Sequence, residues 1–158
     1  LEFRRVLFRS QNEFHQRTGA QATLHLVEVE DARAYGCVPI DDDGRVQQFL
    51  EKMDNPIAKT INAGCYILTS NVVAAIKPGE VVSVERETFP KLLESGARVT
   101  GFVDSQYWID MGTPQSLIQA SRDLILEPGR TSLRTGATNG SLISTGADRK
   151  STRLNSSH

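Results

Sequence analysis

Three short segments carry residue types that could bind a polar ligand. Glu51 and Lys52 are adjacent; glutamate can accept hydrogen bonds from sugar hydroxyls, whereas lysine can meet a phosphate. Asn62 can both donate and accept hydrogen bonds, which suits a polyol. Gly36 would allow a ligand to approach the backbone closely. From local sequence alone, the alternatives are an exposed charge pair at Glu51 and Lys52, a strand start with an Asx turn at Asn62, and a simple strand-entry glycine at Gly36.

Asp110 is a further candidate because of its place between two predicted elements. Tyr107–Met111 is predicted as a strand, and Thr113-Pro114 is typical of a helix start, with a capping hydroxyl followed by proline. Ligands of α/β folds collect at the carboxyl ends of strands, where a hard carboxylate oxygen can hold Mg²⁺. The alternative is an aspartate that ties down the turn.

The histidines and cysteines are weaker candidates. His15 and His25 have no matched partner in the sequence pattern. Cys37 and Cys65 lie among apolar residues and lack metal-ligand spacing, which is typical of small buried hydrophobic side chains. We therefore expect neither a disulfide framework nor a Ser-His-Asp arrangement.

Composition narrows the class of protein. The 158 residues are 39% hydrophobic and 23% charged, as in ordinary globular chains. The longest apolar run, 72–76, is far shorter than the roughly 20 residues of a membrane helix. The formal net charge of −1 offers no basic patch, so we expect neither a membrane nor a nucleic-acid partner.

The two ends are expected to lie outside the fold. One back-translation of residues 1–10 is, as its reverse complement, a coding sequence for residues 148–156, and this DNA resembles a sequencing-library adapter. We therefore interpret 1–10 and 148–158 as adapter-derived scars. They carry six of the 18 basic and two of the 19 acidic residues, which leaves 12 basic against 17 acidic residues, a net charge of −5.

Between these ends, strands alternate with helices, which predicts an α/β domain. Asp-Gly at 43–44 between two apolar runs predicts a hairpin, and Ser83 is predicted to cap a helical turn. The remaining predicted elements are strands at 21–29, 60–68 and 98–103, short helices at 71–76 and around Pro90, and an amphipathic helix from Thr113 that ends at Pro128-Gly129.

Five motifs in order resemble the C-terminal half of the nucleotide-sugar pyrophosphorylases, the sugar-1-phosphate nucleotidyltransferases. Within that family they are most similar to the bacterial mannose-1-phosphate guanylyltransferases. The motifs are FHQRTGAQATL, YGCVPIDDDGRVQQFLEKM, INAGCYIL, SVERETFPKLLESG and YWIDMGTPQSLIQA. They span residues 14 to about 126.

The resemblance implies a fold and a domain organisation. The expected fold is a Rossmann-like, GT-A-like α/β nucleotidyltransferase domain with a mixed sheet and flanking helices. Residues 11–127 would be its C-terminal, sugar-binding half only. Residues 128–147, rich in Gly, Ser and Thr, would be a linker or the start of a left-handed β-helix.

The resemblance also implies residue roles. Gly36, Asn62 and Gly64 would line the sugar pocket, Glu51 would accept sugar hydroxyls, and Lys52 would hold the sugar phosphate. Lys52 would thus serve catalysis as well as binding, together with Asp110, which would be one of two carboxylates on the cofactor Mg²⁺. The partners would be a sugar 1-phosphate and a nucleoside triphosphate in a cytoplasmic enzyme, with a homo-oligomer allowed for the full-length protein.

Two features keep alternatives open. Met53 stands where the family usually has proline after the Glu-Lys pair, and no Gly-rich phosphate loop occurs in the sequence. We therefore expect this chain alone to be inactive. The alternatives are a glucose-1-phosphate thymidylyl-, uridylyl- or adenylyltransferase, and a non-catalytic regulatory relative that binds a sugar phosphate.

Overall fold

The computed structural model describes residues 2–126, 136–138 and 141–143, with side chains described from Phe8 to Leu126. The chain divides into two compact units. One unit is Arg5–Trp108, and the other combines Leu1–Arg4 with Ile109–His158. Among the described residues, each helix is too short or too polar to cross a membrane.

The sheet of the first unit is mixed, as expected. It comprises β1 (Ala22–Glu28), β2 (Thr60–Leu68) and β3 (Val99–Asp104), in the order β2-β1-β3. The central strand β1 pairs antiparallel with β2 and parallel with β3. Six of the seven residues of β1 are buried, because this strand is covered on both faces.

Helices flank this sheet. They are α1 (Glu2–Thr18), α2 (Ser70–Ala74) and α3 (Phe89–Glu94), the last preceded by a π-helical turn at Val84–Thr88. Ser83 caps that turn by accepting a hydrogen bond from the Arg86 amide at 3.2 Å, as predicted. Helix α1 runs through residues 2–10, so these residues are helical; their adapter origin stays a prediction.

The core lies on the face of β1 that carries Leu24 and Leu26. Phe89 of α3 is fully buried against these residues and contacts two further aromatic rings, that of Phe49 in a stack at 5.4 Å and that of Tyr66 edge-on at 5.0 Å. These ring contacts hold the π-helical turn and α3 over β2.

The predicted hairpin forms its turn but not two regular strands. Gly44 has φ +74°, and Asp41 Oδ1 accepts the Arg45 amide at 2.8 Å, so the turn prediction is confirmed. The two segments that flank the turn pair with each other only through isolated antiparallel β-bridges, at Ile40–Val46 and Cys37–Leu50.

The second unit contains α4 (Pro114–Leu126) and two short antiparallel strands, β4 (Gly136–Thr138) and β5 (Ser141–Ile143). Thr113 Oγ1 accepts the Ser116 amide at 3.1 Å, which confirms the predicted cap. The apolar side chains of α4 are largely exposed, with Ile118 at 63%. The predicted helix end at Pro128-Gly129 and the segment 148–158 lie outside the described residues.

The prediction of a strand at Tyr107–Met111 is wrong. The segment is irregular, and side chains bond to nearby amides on both sides of it. Asp104 Oδ1 accepts the Gln106 amide at 3.1 Å, and Asp110 Oδ1 accepts the Gly112 amide at 3.1 Å. Such local bonds compete with a strand ladder, which explains why the aromatic residues do not extend into one.

Candidate functional site

A cavity of about 470 Å³ opens in the first unit beside the π-helical turn. The structure brings four of the predicted residues to its wall: Gly36, Glu51, Lys52 and Asn62. Their binding roles stay predictions. Gly64, predicted with them, is outside the residues that line the cavity but contacts Asn62, because its amide donates to Asn62 Oδ1 at 3.0 Å.

The bridge between Cys37 and Leu50 positions one wall of this pocket. Each residue donates its amide to the carbonyl of the other at 3.0 Å, which sets Gly36 beside Glu51. Gly36 has φ +77°, and a Cβ at this position would lie 2.4 Å from the Leu50 carbonyl oxygen. Only glycine combines this backbone conformation with this close approach, so the residue has a structural reason as well as a predicted functional one.

A bulge in β2 positions the opposite wall. Leu24 of β1 pairs with Tyr66 and Leu26 pairs with Asn62, so β2 carries two extra residues at this point. The bulge brings the side chains of Asn62 and Tyr66 within hydrogen-bond distance, 2.7 Å from Nδ2 to Oη. Gly64, with φ +79°, forms part of the bulge.

Glu85 joins this wall from the π-helical turn. Its Oε1 accepts hydrogen bonds from Asn62 Nδ2 at 2.7 Å and from Tyr66 Oη at 2.6 Å. Burial, followed by the Glu85 hydrogen bond, raises the pKa of Tyr66 to about 12. Tyr66 therefore stays protonated at neutral pH and acts as the donor to Glu85.

The charged side chains at the mouth are exposed. Glu51 Oε1 lies 3.8 Å from Arg86 Nε, and the two side chains are 82% and 79% exposed. An ion pair this open to water is weak, so a charged ligand could replace either partner. The pocket thus places two cationic groups, Lys52 and Arg86, close to carboxylate and amide hydrogen-bonding groups.

Two charged residues that line this pocket, Glu85 and Arg86, were not predicted as site residues, and neither was Tyr66, which contacts Asn62 from outside the lining. Tyr66 lies four residues from Asn62, but the bulge that joins them leaves no signal beyond Gly64. Glu85 and Arg86 follow Ser83, for which only a capped helical turn was predicted. Glu85 lies 23 residues from its partner Asn62 along the chain, and Arg86 lies 35 residues from its partner Glu51. A local sequence pattern does not indicate contacts over such separations.

Asp110 lies in the second unit. It is exposed, and its Oδ1 closes a turn to Gly112 immediately before α4. An exposed carboxylate fits Mg²⁺ as one ligand, since this cation often takes only one or two carboxylates beside substrate phosphates. Among the described residues, no group of three His, Cys, Asp or Glu side chains could hold a metal ion.

The structure places a polar group near each histidine that the sequence pattern did not indicate. His15 Nδ1 is 2.8 Å from Thr23 Oγ1, and His25 Nε2 is 3.5 Å from Asp104 Oδ2. His25 is 6% exposed, and its buried Nε2 has no hydrogen-bond partner of acceptable geometry among the described residues. Burial lowers the pKa of His25, while Asp104 raises it, so the two causes oppose each other.

Comparison with known proteins decides the family. A family model described as Nucleotidyl transferase matches residues 4–127. The chain belongs to this nucleotidyltransferase family. The predicted nucleotidyltransferase fold, with a mixed sheet and flanking helices, is confirmed.

Curated relatives of the nucleotidyltransferase are longer. The chain is 50% identical over 114 residues to the mannose-1-phosphate guanylyltransferase of Mycobacterium tuberculosis, covering 72% of this chain and 32% of the relative. It is 34% identical over 113 residues to a putative mannose-1-phosphate guanyltransferase of Sulfolobus acidocaldarius, covering 72% and 30%. The chain therefore spans about a third of the length of these relatives.

Solved structures show the same fold. HddC from Yersinia pseudotuberculosis is 28% identical with a TM-score of 0.56, over 76% of this chain and 48% of that one. A putative glucose-1-phosphate thymidylyltransferase from Bacillus anthracis is 24% identical with a TM-score of 0.58, over 71% and 46%. The second likeness supports the fold alone.

Proposed function

We propose that this chain is the sugar-phosphate-binding part of a mannose-1-phosphate guanylyltransferase, which converts GTP and mannose 1-phosphate to GDP-mannose and pyrophosphate. The observation that carries the proposal is the grouping of Glu51, Lys52 and Asn62 around one cavity. The 50% identity to the mycobacterial guanylyltransferase supports the choice of reaction. The enzyme would work in the cytoplasm, and a homo-oligomer is compatible with this role.

The chemistry is a phosphoryl-type transfer. A phosphate oxygen of mannose 1-phosphate attacks the α-phosphorus of GTP, a phosphoanhydride bond forms, and the bond to pyrophosphate breaks. Such transfers depend mainly on positioning and on neutralisation of charge. Lys52 would hold the attacking phosphate, while Glu51 would orient the sugar by accepting hydrogen bonds from its hydroxyls.

Asp110 is the proposed ligand of Mg²⁺ in this chain. When bound, the cation would neutralise charge on the phosphates of both substrates. Asp110 would contribute one carboxylate oxygen, and its turn with Gly112 would restrict the orientation of that oxygen.

A binding measurement on this chain tests the proposal. Mannose 1-phosphate is titrated by calorimetry into the wild type, Lys52→Ala and Lys77→Ala. Lys77 is the matched control, because it is an exposed lysine outside the pocket, 3.6 Å from Glu80. Loss of a charge-assisted contact should weaken binding by about 10- to 100-fold in Lys52→Ala only.

The controls of this titration separate ligand classes. Mannose without phosphate should bind far more weakly than mannose 1-phosphate, and added salt should reduce the difference. Equal affinities of the wild type and Lys52→Ala would contradict the assigned role of Lys52. No saturable binding of mannose 1-phosphate to the wild type would contradict the proposed function itself.

A second candidate is glucose-1-phosphate thymidylyl transfer. The structural similarity to the putative Bacillus anthracis enzyme is compatible with it through the shared fold. Titration with glucose 1-phosphate discriminates the two, since glucose and mannose differ at a single hydroxyl centre. Tighter binding of glucose 1-phosphate than of mannose 1-phosphate would favour the second candidate.

A further inference from the structure

The side-chain amide of Asn62 is held at both ends. Its Nδ2 donates to Tyr66 Oη at 2.7 Å and to Glu85 Oε1 at 2.7 Å. Its Oδ1 accepts the Gly64 amide at 3.0 Å and has a second lone pair. Nδ2 is therefore bonded within the protein, and Oδ1 keeps a lone pair that a ligand hydroxyl can use.

Glu85 favours this orientation of the amide. If the amide were turned over, Oδ1 would face the carboxylate of Glu85, and two acceptors would meet without a hydrogen between them. At the other end, Nδ2 would face the Gly64 amide, so two donors would meet. The hydrogen bonds to Glu85 and to the Gly64 amide would both be lost.

Glu85 is itself held in place from three sides. Tyr66 donates to the same Oε1 at 2.6 Å, and the ring of Tyr66 packs edge-on against the buried Phe89. On the backbone side, the π-helical turn is fixed by the Ser83 cap. An exposed carboxylate without such support would not keep one orientation, whereas here two donors converge on a single oxygen.

We propose that Glu85 is a positioning residue of the sugar pocket, which holds the Asn62 amide so that its oxygen accepts a hydrogen bond from a sugar hydroxyl. The inference rests on the proposed function, because it assumes that the ligand in this pocket is a sugar phosphate. In this inference Glu85 acts on the ligand only through Asn62. The Asn62 side chain contacts the sugar as a hydrogen-bond acceptor.

The test is a double-mutant cycle read by binding. Mannose 1-phosphate is titrated into the wild type, Glu85→Ala, Asn62→Ala and the double variant. We expect Glu85→Ala to weaken binding by about 3- to 10-fold and Asn62→Ala by about 10-fold. The double variant should bind no more weakly than Asn62→Ala, because Glu85 acts through Asn62.

Two further variants exclude a merely structural effect. Glu87→Ala perturbs the same turn, since Glu87 Oε1 accepts the Ser83 amide at 3.2 Å, but Glu87 lies outside the pocket. We expect its affinity for mannose 1-phosphate to stay within about twofold of the wild type. Glu85→Gln keeps an acceptor oxygen and should restore most of the affinity lost in Glu85→Ala.

The side-chain amide signals of Asn62 in a proton–nitrogen NMR spectrum report on the contact without any ligand. In Glu85→Ala these two signals should move towards each other as one hydrogen loses its acceptor, while in Glu87→Ala they should stay in place. Unchanged signals in Glu85→Ala, or additive effects in the binding cycle, would overturn the inference. If the amide signals respond but the wild type fails to bind mannose 1-phosphate, the proposed function is overturned, and the role of Glu85 in it falls too.

Discussion

Two polar clusters in the first unit differ in what their hydrogen bonds are used for. The buried cluster, Gln11, His15, Thr23 and Thr100, lies between α1 and the sheet. Thr23 Oγ1 there contacts both His15 Nδ1 at 2.8 Å and Thr100 Oγ1 at 2.9 Å, and both threonines are fully buried. The pocket cluster, Glu51, Lys52, Asn62, Glu85 and Arg86, faces a cavity open to water.

This difference indicates which cluster can serve a ligand. The polar groups of the buried cluster bond to one another, and removing one leaves its partners without water to replace it. In the pocket cluster the charges at the mouth are mostly hydrated, so their mutual attraction contributes little to folding. The buried cluster should therefore control the stability of the fold, and the pocket cluster its binding.

The largest effect on stability should come from Thr23→Val. The substitution preserves shape but removes the hydroxyl that His15 and Thr100 share, so we expect the free energy of unfolding to fall by about 1–3 kcal/mol. Thr88→Val is the matched control, because the Thr88 side chain makes no cap hydrogen bond to α3. Urea denaturation measures both variants, and equal losses in the two would contradict the assigned role of the buried cluster.

A smaller effect should appear as a pH dependence of stability. Burial lowers the pKa of His25 below its ordinary value of 6.5, and Asp104 only partly opposes this. The unfolded chain then binds a proton more readily than the folded chain. The free energy of unfolding should therefore decrease as the pH is lowered through 6.5.

Variants of this pair sharpen the pH prediction. Urea midpoints measured from about pH 7.5 to about pH 5 should fall less in His25→Gln than in the wild type, and more in Asp104→Asn. His15, whose pKa burial also lowers, contributes a slope of the same sign and should remain in His25→Gln. A wild-type slope that is unchanged in His25→Gln would exclude His25 as its source.

The sequence predicted the elements whose causes are local. Strands β1 and β2 follow from apolar runs, and the turn at Gly44 follows from a residue that accepts positive φ. The strand prediction at Tyr107–Met111 was wrong because it rested on strand propensity alone. The side chains of Asp104 and Asp110 form hydrogen bonds with nearby backbone amides, and propensity does not account for such bonds.

The candidate site was predicted in part, for a related reason. Gly36, Glu51, Lys52 and Asn62 occur in recognisable motifs, and the structure places them around one cavity. The roles of Glu85 and His25 depend on the bulge in β2 and on the register of β1 against β3. The residues next to Glu85 and His25 in the chain encode neither the bulge nor the register. The contacts of these two residues therefore could not be predicted from the sequence.

The smallest expected effect concerns the ion pair between Glu51 and Arg86. The two side chains are about four-fifths exposed, so a double-mutant cycle with Glu51→Gln and Arg86→Ala should give a coupling free energy of unfolding below about 0.5 kcal/mol. Urea denaturation at low salt measures it under the conditions most favourable to the pair. A coupling above about 1 kcal/mol would mean that the pair stabilises the fold as the buried cluster does. If the coupling is negligible, breaking the ion pair costs little folding free energy. A ligand could then replace Arg86 as the partner of Glu51, or Glu51 as the partner of Arg86.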